Sequence, residues 1–231
     1  MTDAVEKYYT LPPLTHWLAY ANLSLMTRER IIISENDPPS KRAILNAALK
    51  LFVSNGYDAT TIRDIAAEAK YTNPAIFKFF VSKEALGVYL FERAYRELLT
   101  KFEADFKKEG PTEAVLLQWM RTFVALLSED LESVLFVHNH LTLFWPKVAA
   151  RFGNKTLFGI LRGWIKKGRD AGRIGTMVPI EVQIAAVSGF FHQFALMIKL
   201  EEIDARRKES LIQGGAEVLA GILAPSRGRK Q

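Results

Sequence analysis

The fold is decided by the stretch AAEAKYTNPAIFKFFVSKEAL, residues 66–86, in which a short polar break separates two segments with helical periodicity. Either Thr72 or Asn73 can cap a helix, because each side chain can accept a hydrogen bond from a free backbone amide. Pro74 is tolerated in a first helical turn, where its missing N–H would have no partner. The break is therefore predicted to be a tight turn that leads directly into a helix.

Two further helices are predicted ahead of this turn. The first starts at Ser40 and stops at Asn55-Gly56, where glycine can adopt the left-handed conformation that closes a helix. The second starts at Thr61, because Thr61 and Asp64 have the spacing of a capping box and apolar residues follow at positions i, i+3, i+4 and i+7. Those apolar residues are Ile62, Ile65, Ala66 and Ala69.

The helix that follows the turn has an apolar side and an outward side. Ile76, Phe79 and Phe80 recur at helical spacing and are predicted to anchor it to the two preceding helices, while Asn73 and Lys78 face away from them. Two short helices joined by a tight turn, with the start of the second helix exposed, form the helix-turn-helix geometry that places a helix in the major groove of DNA.

The composition is that of an ordinary globular chain: 231 residues, of which 49% are hydrophobic and 24% charged. Helical periodicity runs along nearly the whole sequence, so the predicted fold class is all-α. A formal net charge of +6 favours an acidic partner such as nucleic acid. The chain has no cysteine, which excludes disulfides and thiolate metal sites, and its first residues lack the pattern of a secretory signal, so we expect a cytoplasmic protein.

From Ser40 to Leu90 the sequence resembles the TetR-type transcriptional regulators. The resemblance rests on FVSNGYDATTIRDIA (residues 52–66), on the aromatic-rich helix after the turn, and on SKEAL (residues 82–86), which opens helix four. It implies a homodimer that binds a palindromic operator as a repressor and is released by a small, mostly hydrophobic effector. It also implies that the protein is not an enzyme and needs no cofactor.

The same resemblance divides the chain. It implies an N-terminal three-helix helix-turn-helix DNA-binding domain over residues 40–90 and a C-terminal helical effector-binding and dimerisation domain over residues 91–225. Residues 1–39 would be an N-terminal extension that is partly helical, and residues 226–231 a tail. Acidic side chains outnumber basic ones in the extension, which argues against a basic arm in the minor groove of DNA.

Residue by residue, the resemblance implies contacts to double-stranded DNA from the starts of helices two and four and from the recognition helix between them. The predicted contacts are Thr61, Thr72, Asn73, Ala75, Phe77, Lys78, Phe79 and Lys83. Phe77 and Phe79 could equally be packing residues. The family commonly has glycine where this chain has Lys70, so we expect a left-handed lysine there, strained by about 1 kcal/mol.

The region between Leu116 and Phe194 is rich in aromatic residues with a few polar ones among them, which predicts an apolar effector pocket, although aromatics at this spacing also build plain core. The predicted ligand-binding residues are Trp119, Phe123, Phe136, His140, Phe144, Trp164 and His192. His138 and His140 are two positions apart and would point in different directions on a helix, so no metal site is predicted. No catalytic group is predicted either.

Seventeen residues without a formal charge, Val182–Ile198, admit two interpretations. They approach the length of a membrane span, but they also fit a buried interface helix. We predict no membrane contact and a symmetric four-helix dimer interface built by helices at about 180–199 and 205–223. Its predicted residues are Ile184, Val187, Phe191, Met197, Leu211, Val218 and Leu219. The alternatives are a membrane-anchored helical protein that uses 182–198 and a helical enzyme around His138 and His140.

Overall fold

The computed structural model describes residues 33–34, 36–106, 112–153 and 155–225. These residues form eight helices and no strand, which confirms the predicted all-α fold. The helices are α1 Pro39–Ser54, α2 Ile62–Ala69, α3 Asn73–Phe77, α4 Lys83–Phe106, α5 Glu113–Phe152, α6 Leu157–Asp170, α7 Ile180–Lys199 and α8 Lys208–Leu223. The helix predicted within residues 1–39 and the tail at 226–231 lie outside the described residues, apart from 33–34 and 36–39.

Helices α1, α2 and α3 pack around a small apolar core. Ile44, Phe52, Ile65 and Ile76 supply fully buried side chains to it from all three helices. Helix α1 begins at Pro39, one residue before the predicted Ser40, and ends at Ser54 with Asn55 as its C-cap, so it stops at the predicted Asn55-Gly56; Gly56 has a φ of 87°. The polypeptide therefore reverses between α1 and α2 where glycine has the least conformational cost.

Helix α4 leads from this three-helix unit into the rest of the molecule. Helix α4 packs along α5, and α1 packs against both of them. The three-helix unit is therefore supported by α4 and by α5. Two ion pairs tie the far end of α5 to α4: Lys147 with Glu84, and Arg151 with Glu92. The three-helix unit thus has a direct mechanical connection to the C-terminal helices.

Helix α5 spans 40 residues but is interrupted twice. The backbone leaves helical geometry at Asp130 (φ −153°, ψ 70°) and at His140 (φ −116°, ψ 15°). The buried carboxylate of Asp130 accepts hydrogen bonds from the backbone N–H (3.1 Å) and the hydroxyl (2.5 Å) of Ser133. Asp130 therefore caps the second part of the helix in the manner of an N-cap residue.

Helices α7 and α8 complete the C-terminal part, α7 against α5 and α6, and α8 along α5. Three residues predicted for the dimer interface, Ile184, Val187 and Leu219, are instead buried within the protomer, because they face these neighbouring helices. For them the prediction was wrong. Among the described residues, α7 is the one helix long and apolar enough to cross a membrane, and 33% of its most apolar window is buried.

Candidate DNA-binding surface and ligand cavity

The turn between α2 and α3 is fixed by local hydrogen bonds. Thr61 and Asp64 form the predicted capping box: the Asp64 carboxylate accepts from the Thr61 N–H (2.8 Å), and the Thr61 hydroxyl oxygen accepts from the Asp64 N–H (3.2 Å). Lys70 closes α2 in the left-handed conformation, with φ 59°, as predicted. The N–H of Tyr71 then donates to the Ala66 carbonyl (2.9 Å), which completes the turn.

Helix α3 is buried on the side that faces α1 and α2 and exposed on the opposite side. Ile76 is fully buried and Phe80 nearly so, and the backbone N–H groups of Phe79 and Phe80 both donate to the Ile76 carbonyl. On the outer side, Lys78 is exposed and Phe77 keeps 51% of its surface accessible. An exposed edge on a rigidly backed helix is the geometry that a reading helix needs.

The remaining predicted contacts of the recognition helix border the same edge. Thr72 is exposed at the N-cap position without a side-chain capping bond, whereas Asn73 and Ala75 are half-buried. Phe79 is also half-buried and packs against the core, which fits the packing role left open for it. Their contacts with DNA stay a prediction.

The exposed residues Lys70, Thr72, Phe77 and Lys78 form what we call the reading edge. This edge carries positive charge that no described carboxylate neutralises. Among the described residues, neither Lys70 nor Lys78 is paired with a carboxylate, whereas the nearby Lys50 is paired with Glu68 at 2.6 Å. Tyr71, which is 39% exposed, lies beside Lys70 on the same turn. We did not predict Tyr71 as a site residue, because it stands in the turn and belongs to no helical stripe.

Lys83 needs a correction. Its ammonium donates to the carbonyls of Tyr57 (2.9 Å) and Thr60 (2.9 Å) and lies 4.3 Å from the centre of the Tyr57 ring. The group is half-buried and fixes the loop in front of α2. Because its hydrogen bonds are already committed to these carbonyls, Lys83 is excluded from the phosphate contacts that we retain.

A cavity of about 360 Å³ lies between α4, α5, α6 and α7. This volume is within the range of small-molecule sites, roughly 300–1,000 Å³. Most of the lining is aliphatic or aromatic. The lining residues are Tyr95, Leu98, Phe102, Phe106, Phe123, Val134, Val137, His138, Leu141, Leu157, Phe158, Leu161, Ala185, Val187, Ser188, Gly189, Phe191 and His192.

Of the seven predicted ligand-binding residues, Phe123 and His192 line this cavity and the other five do not. Trp119 and Trp164 are buried against each other, with ring centroids 4.3 Å apart. The other three, Phe136, His140 and Phe144, are buried where α5 meets the N-terminal unit. These five lie in the core, which aromatic residues at helical spacing also build, and their role in ligand binding stays a prediction.

Two histidines from different helices meet at the cavity wall. The rings of His138 and His192 stack with centroids 4.9 Å apart and planes 7° from parallel. Neither imidazole hydrogen-bonds to another of the described residues. Burial, together with the neighbouring His192, lowers the pKa of His138 to about 4. Sequence analysis missed the pair, because residues on different helices share no periodicity.

Phe136, His140 and Phe144 of α5 pack against aromatic residues of the N-terminal unit, which is the three-helix unit of α1, α2 and α3. Tyr57 meets Phe144 edge to face at 5.1 Å and His140 at 6.3 Å, while Phe52 stacks on Phe136 at 5.9 Å. The segment of α5 between its two interruptions also supplies Val134, Val137 and His138 to the cavity. One short piece of helix therefore contacts both the cavity and the N-terminal unit.

Comparison with known proteins agrees with this architecture. Residues 44–89 match the family model described as bacterial regulatory proteins, tetR family. The HTH-type transcriptional regulator UidR of Escherichia coli (strain K12) is 25% identical over 194 residues, which cover 81% of this chain and 95% of UidR. The match is spread over both parts of the molecule.

Two solved structures have the same fold. PfmR, a TetR-family transcriptional regulator from Thermus thermophilus, superposes with a TM-score of 0.61 at 20% identity over 77% of this chain and 97% of PfmR. FadR from Bacillus subtilis, solved in complex with stearoyl-CoA, gives 0.60 at 18% identity over 79% of this chain and 99% of FadR. Residues 44–89 thus match the tetR family of bacterial regulatory proteins, and the chain as a whole is similar in sequence to an HTH-type transcriptional regulator and in fold to TetR-family regulators.

Proposed function

We propose that this regulator is a cytoplasmic repressor that binds a palindromic operator as a homodimer and leaves it when an apolar effector fills the cavity. The observation that carries the proposal is the edge of α3, on which Lys78 and Phe77 are exposed while Ile76 is completely buried behind them. A helix fixed in this way can enter the major groove without first rearranging.

Each contact on this edge has a chemical role. Asn73 can accept and donate at an adenine edge, and Phe77 can pack against a thymine methyl group. Lys78 and Lys70 supply charge to phosphates. The N–H of Thr61 is bonded to Asp64, so the backbone amides that the N-terminus of α2 offers to another phosphate are those of Ile62 and Arg63. Lys70 would thereby recover the strain of its left-handed backbone when DNA is bound.

The outward faces of α7 and α8 support a dimer interface. On α7 the exposed residues Val182, Ala186 and Gly189 follow one stripe, and Val182 keeps 53% of its surface accessible. On α8, Gly214 and Val218 continue such a stripe, with Val218 50% exposed. An apolar stripe on two adjacent helices marks an interaction surface, and glycines let partner helices approach closely. This interface accounts for the apolar character of α7 without a membrane.

Effector binding would reach the DNA-binding unit through α5. Its central segment contributes His138 to the cavity and Phe136 to the contact with Phe52, so a shift of the segment on ligand binding moves both surfaces together. The interruptions of helical geometry at Asp130 and at His140 would let this segment shift as a unit. Ligand affinity and DNA affinity are then coupled reciprocally.

The proposal is tested with genomic fragments selected for binding to the purified protein. Lys78→Ala should weaken operator binding and lower the salt slope of binding by about one unit, the value of one phosphate contact. Lys166→Ala is the matched control, because Lys166 is an exposed lysine on α6, outside the reading edge. Equal affinity and equal salt slope for Lys78→Ala and wild type would refute the assigned face.

A further inference from the structure

We infer that the effector is an uncharged amphiphile whose hydroxyl or carbonyl group hydrogen-bonds to the stacked His138 and His192 while an apolar body fills the rest of the cavity. This inference rests on the proposed function, because it names the ligand class of the same cavity. It goes beyond a general expectation of a hydrophobic effector, since it excludes fatty acids and other anions as the preferred occupants.

Among the described residues, the cavity lining includes no lysine, arginine, aspartate or glutamate. A charged group that enters an apolar cavity loses its hydration and needs an opposite charge to compensate. His138 supplies none at neutral pH, because its low pKa keeps that imidazole uncharged. A carboxylate would therefore be rejected relative to a neutral group of similar size.

The two histidines leave hydrogen-bonding capacity at the cavity wall. The uncharged imidazole of His138 has one N–H donor and one acceptor nitrogen, and neither ring of the stacked pair hydrogen-bonds to another described residue. Both rings are half-buried and border the cavity, so a ligand can reach their ring nitrogens. Two imidazoles side by side at a cavity wall can serve a hydroxyl, which donates to one ring and accepts from the other. Ser188 is already engaged, since its hydroxyl donates to the Ala185 carbonyl (3.2 Å).

Part of the cavity lining is purely aromatic. Phe123 meets Phe191 edge to face at 4.7 Å, and Phe102 lies 6.0 Å from Phe191, so three aromatic rings frame the cavity. These rings have no hydrogen-bonding group. They suit an alkyl or aryl body, whose burial contributes most of the binding free energy.

The test uses two matched pairs of probes that differ in charge and not in body: decan-1-ol with decanoate, and 4-butylphenol with 4-butylbenzoate. Their binding to the full-length protein is measured by isothermal titration calorimetry at pH 7.5. In both pairs the neutral member should bind tighter by roughly tenfold or more. Preferred binding of the anions, or no binding by any of the four probes, would overturn the inference.

Variants locate the contact. His138→Phe should remove the advantage of the neutral probes, whereas His138→Gln, which keeps a donor and an acceptor, should restore part of it. Asn139→Ala is the control, because Asn139 is an exposed neighbour outside the cavity. An unchanged preference in His138→Phe would also contradict the inference. Operator binding by the same unliganded preparations is measured in parallel: its absence in wild type would defeat the proposed function, whereas its presence with anion preference would defeat only the ligand class.

Discussion

Lys83 acts on the loop that precedes α2. Its ammonium bridges two carbonyls of that loop and packs over the Tyr57 ring, so it holds the start of α2 at a fixed distance from α4. Cation–π contact and hydrogen bonds to a charged donor both strengthen when they are partly shielded from water. The residue therefore supports the reading surface from behind and does not form part of it.

Lys83→Met should lower the free energy of unfolding by about 1–3 kcal/mol, because two loop carbonyls lose a charged donor while the aliphatic bulk is kept. Urea denaturation followed by circular dichroism measures the change. Lys78→Ala serves as the control, since an exposed lysine without a carboxylate partner among the described residues contributes little to stability. Equal stability of Lys83→Met and wild type would show that the loop does not depend on Lys83.

Local residue roles were predictable, and roles set by distant residues were not. The capping box of Thr61 and Asp64 and the left-handed Lys70 follow from spacing within a few residues, and the structure has both. The role of Lys83 depends on carbonyls more than twenty positions away. The partner of His138 lies on another helix. Sequence periodicity carries no information on such pairs.

At Gly87, α4 approaches both α5 and Tyr57 of the N-terminal unit closely. A Cβ atom added there would lie 2.6 Å from Cζ of Phe144 and 3.0 Å from Cε2 of Tyr57. Phe144 is fully buried, so its ring has no room to move away. The absence of a side chain at Gly87 therefore allows the aromatic contact between the two parts of the molecule.

Gly87→Ala should destabilise the protein by about 1–3 kcal/mol through overpacking, even though alanine favours helix. Gly163→Ala is the matched control, because Gly163 lies in α6 with nothing within 4 Å of an added Cβ. That change should stabilise by about 1 kcal/mol through helix propensity alone. Thermal unfolding of both variants measures the contrast, and a stabilising effect of Gly87→Ala would contradict the tight approach.

At the level of elements, the sequence predicts helices better than their interruptions. Helical periodicity extends over most of α5 and does not by itself place the breaks at Asp130 and His140. Asp130 caps a helical segment within a longer helix. This role is visible only in the structure, where Ser133 donates two hydrogen bonds to the Asp130 carboxylate. The segment between the two interruptions lines the cavity. Because the interruptions were not predicted, the position of this segment was not predicted either, and five of the seven residues predicted to bind ligand lie outside the cavity.

At the scale of the whole molecule, the proposed dimer interface has two unequal flanks on α8. Val218 lies on the apolar flank with Leu211 and Gly221, whereas Gln213 and Glu217 lie on the polar flank. Side chains seven positions apart share a helical face, so Leu211 and Val218 point the same way. The apolar flank is the one that we expect to face the partner subunit.

Val218→Glu should convert the dimer into monomers, because it places a charge in an apolar contact between subunits. Gln213→Glu adds the same charge to the polar flank of the same helix and should leave the dimer intact. Sedimentation equilibrium distinguishes the two states. Dimers in both variants would mean that another surface joins the subunits.

The central claim is that two copies of the α3 edge read a symmetric operator. Hydroxyl-radical footprinting of the protein on a selected genomic fragment tests this most directly, because it records every protected backbone position. The account predicts two protected patches related by a dyad, with centres one helical turn, about 34 Å, or a whole multiple of it apart. A single patch without a symmetry mate, or protection by a monomer, would contradict it.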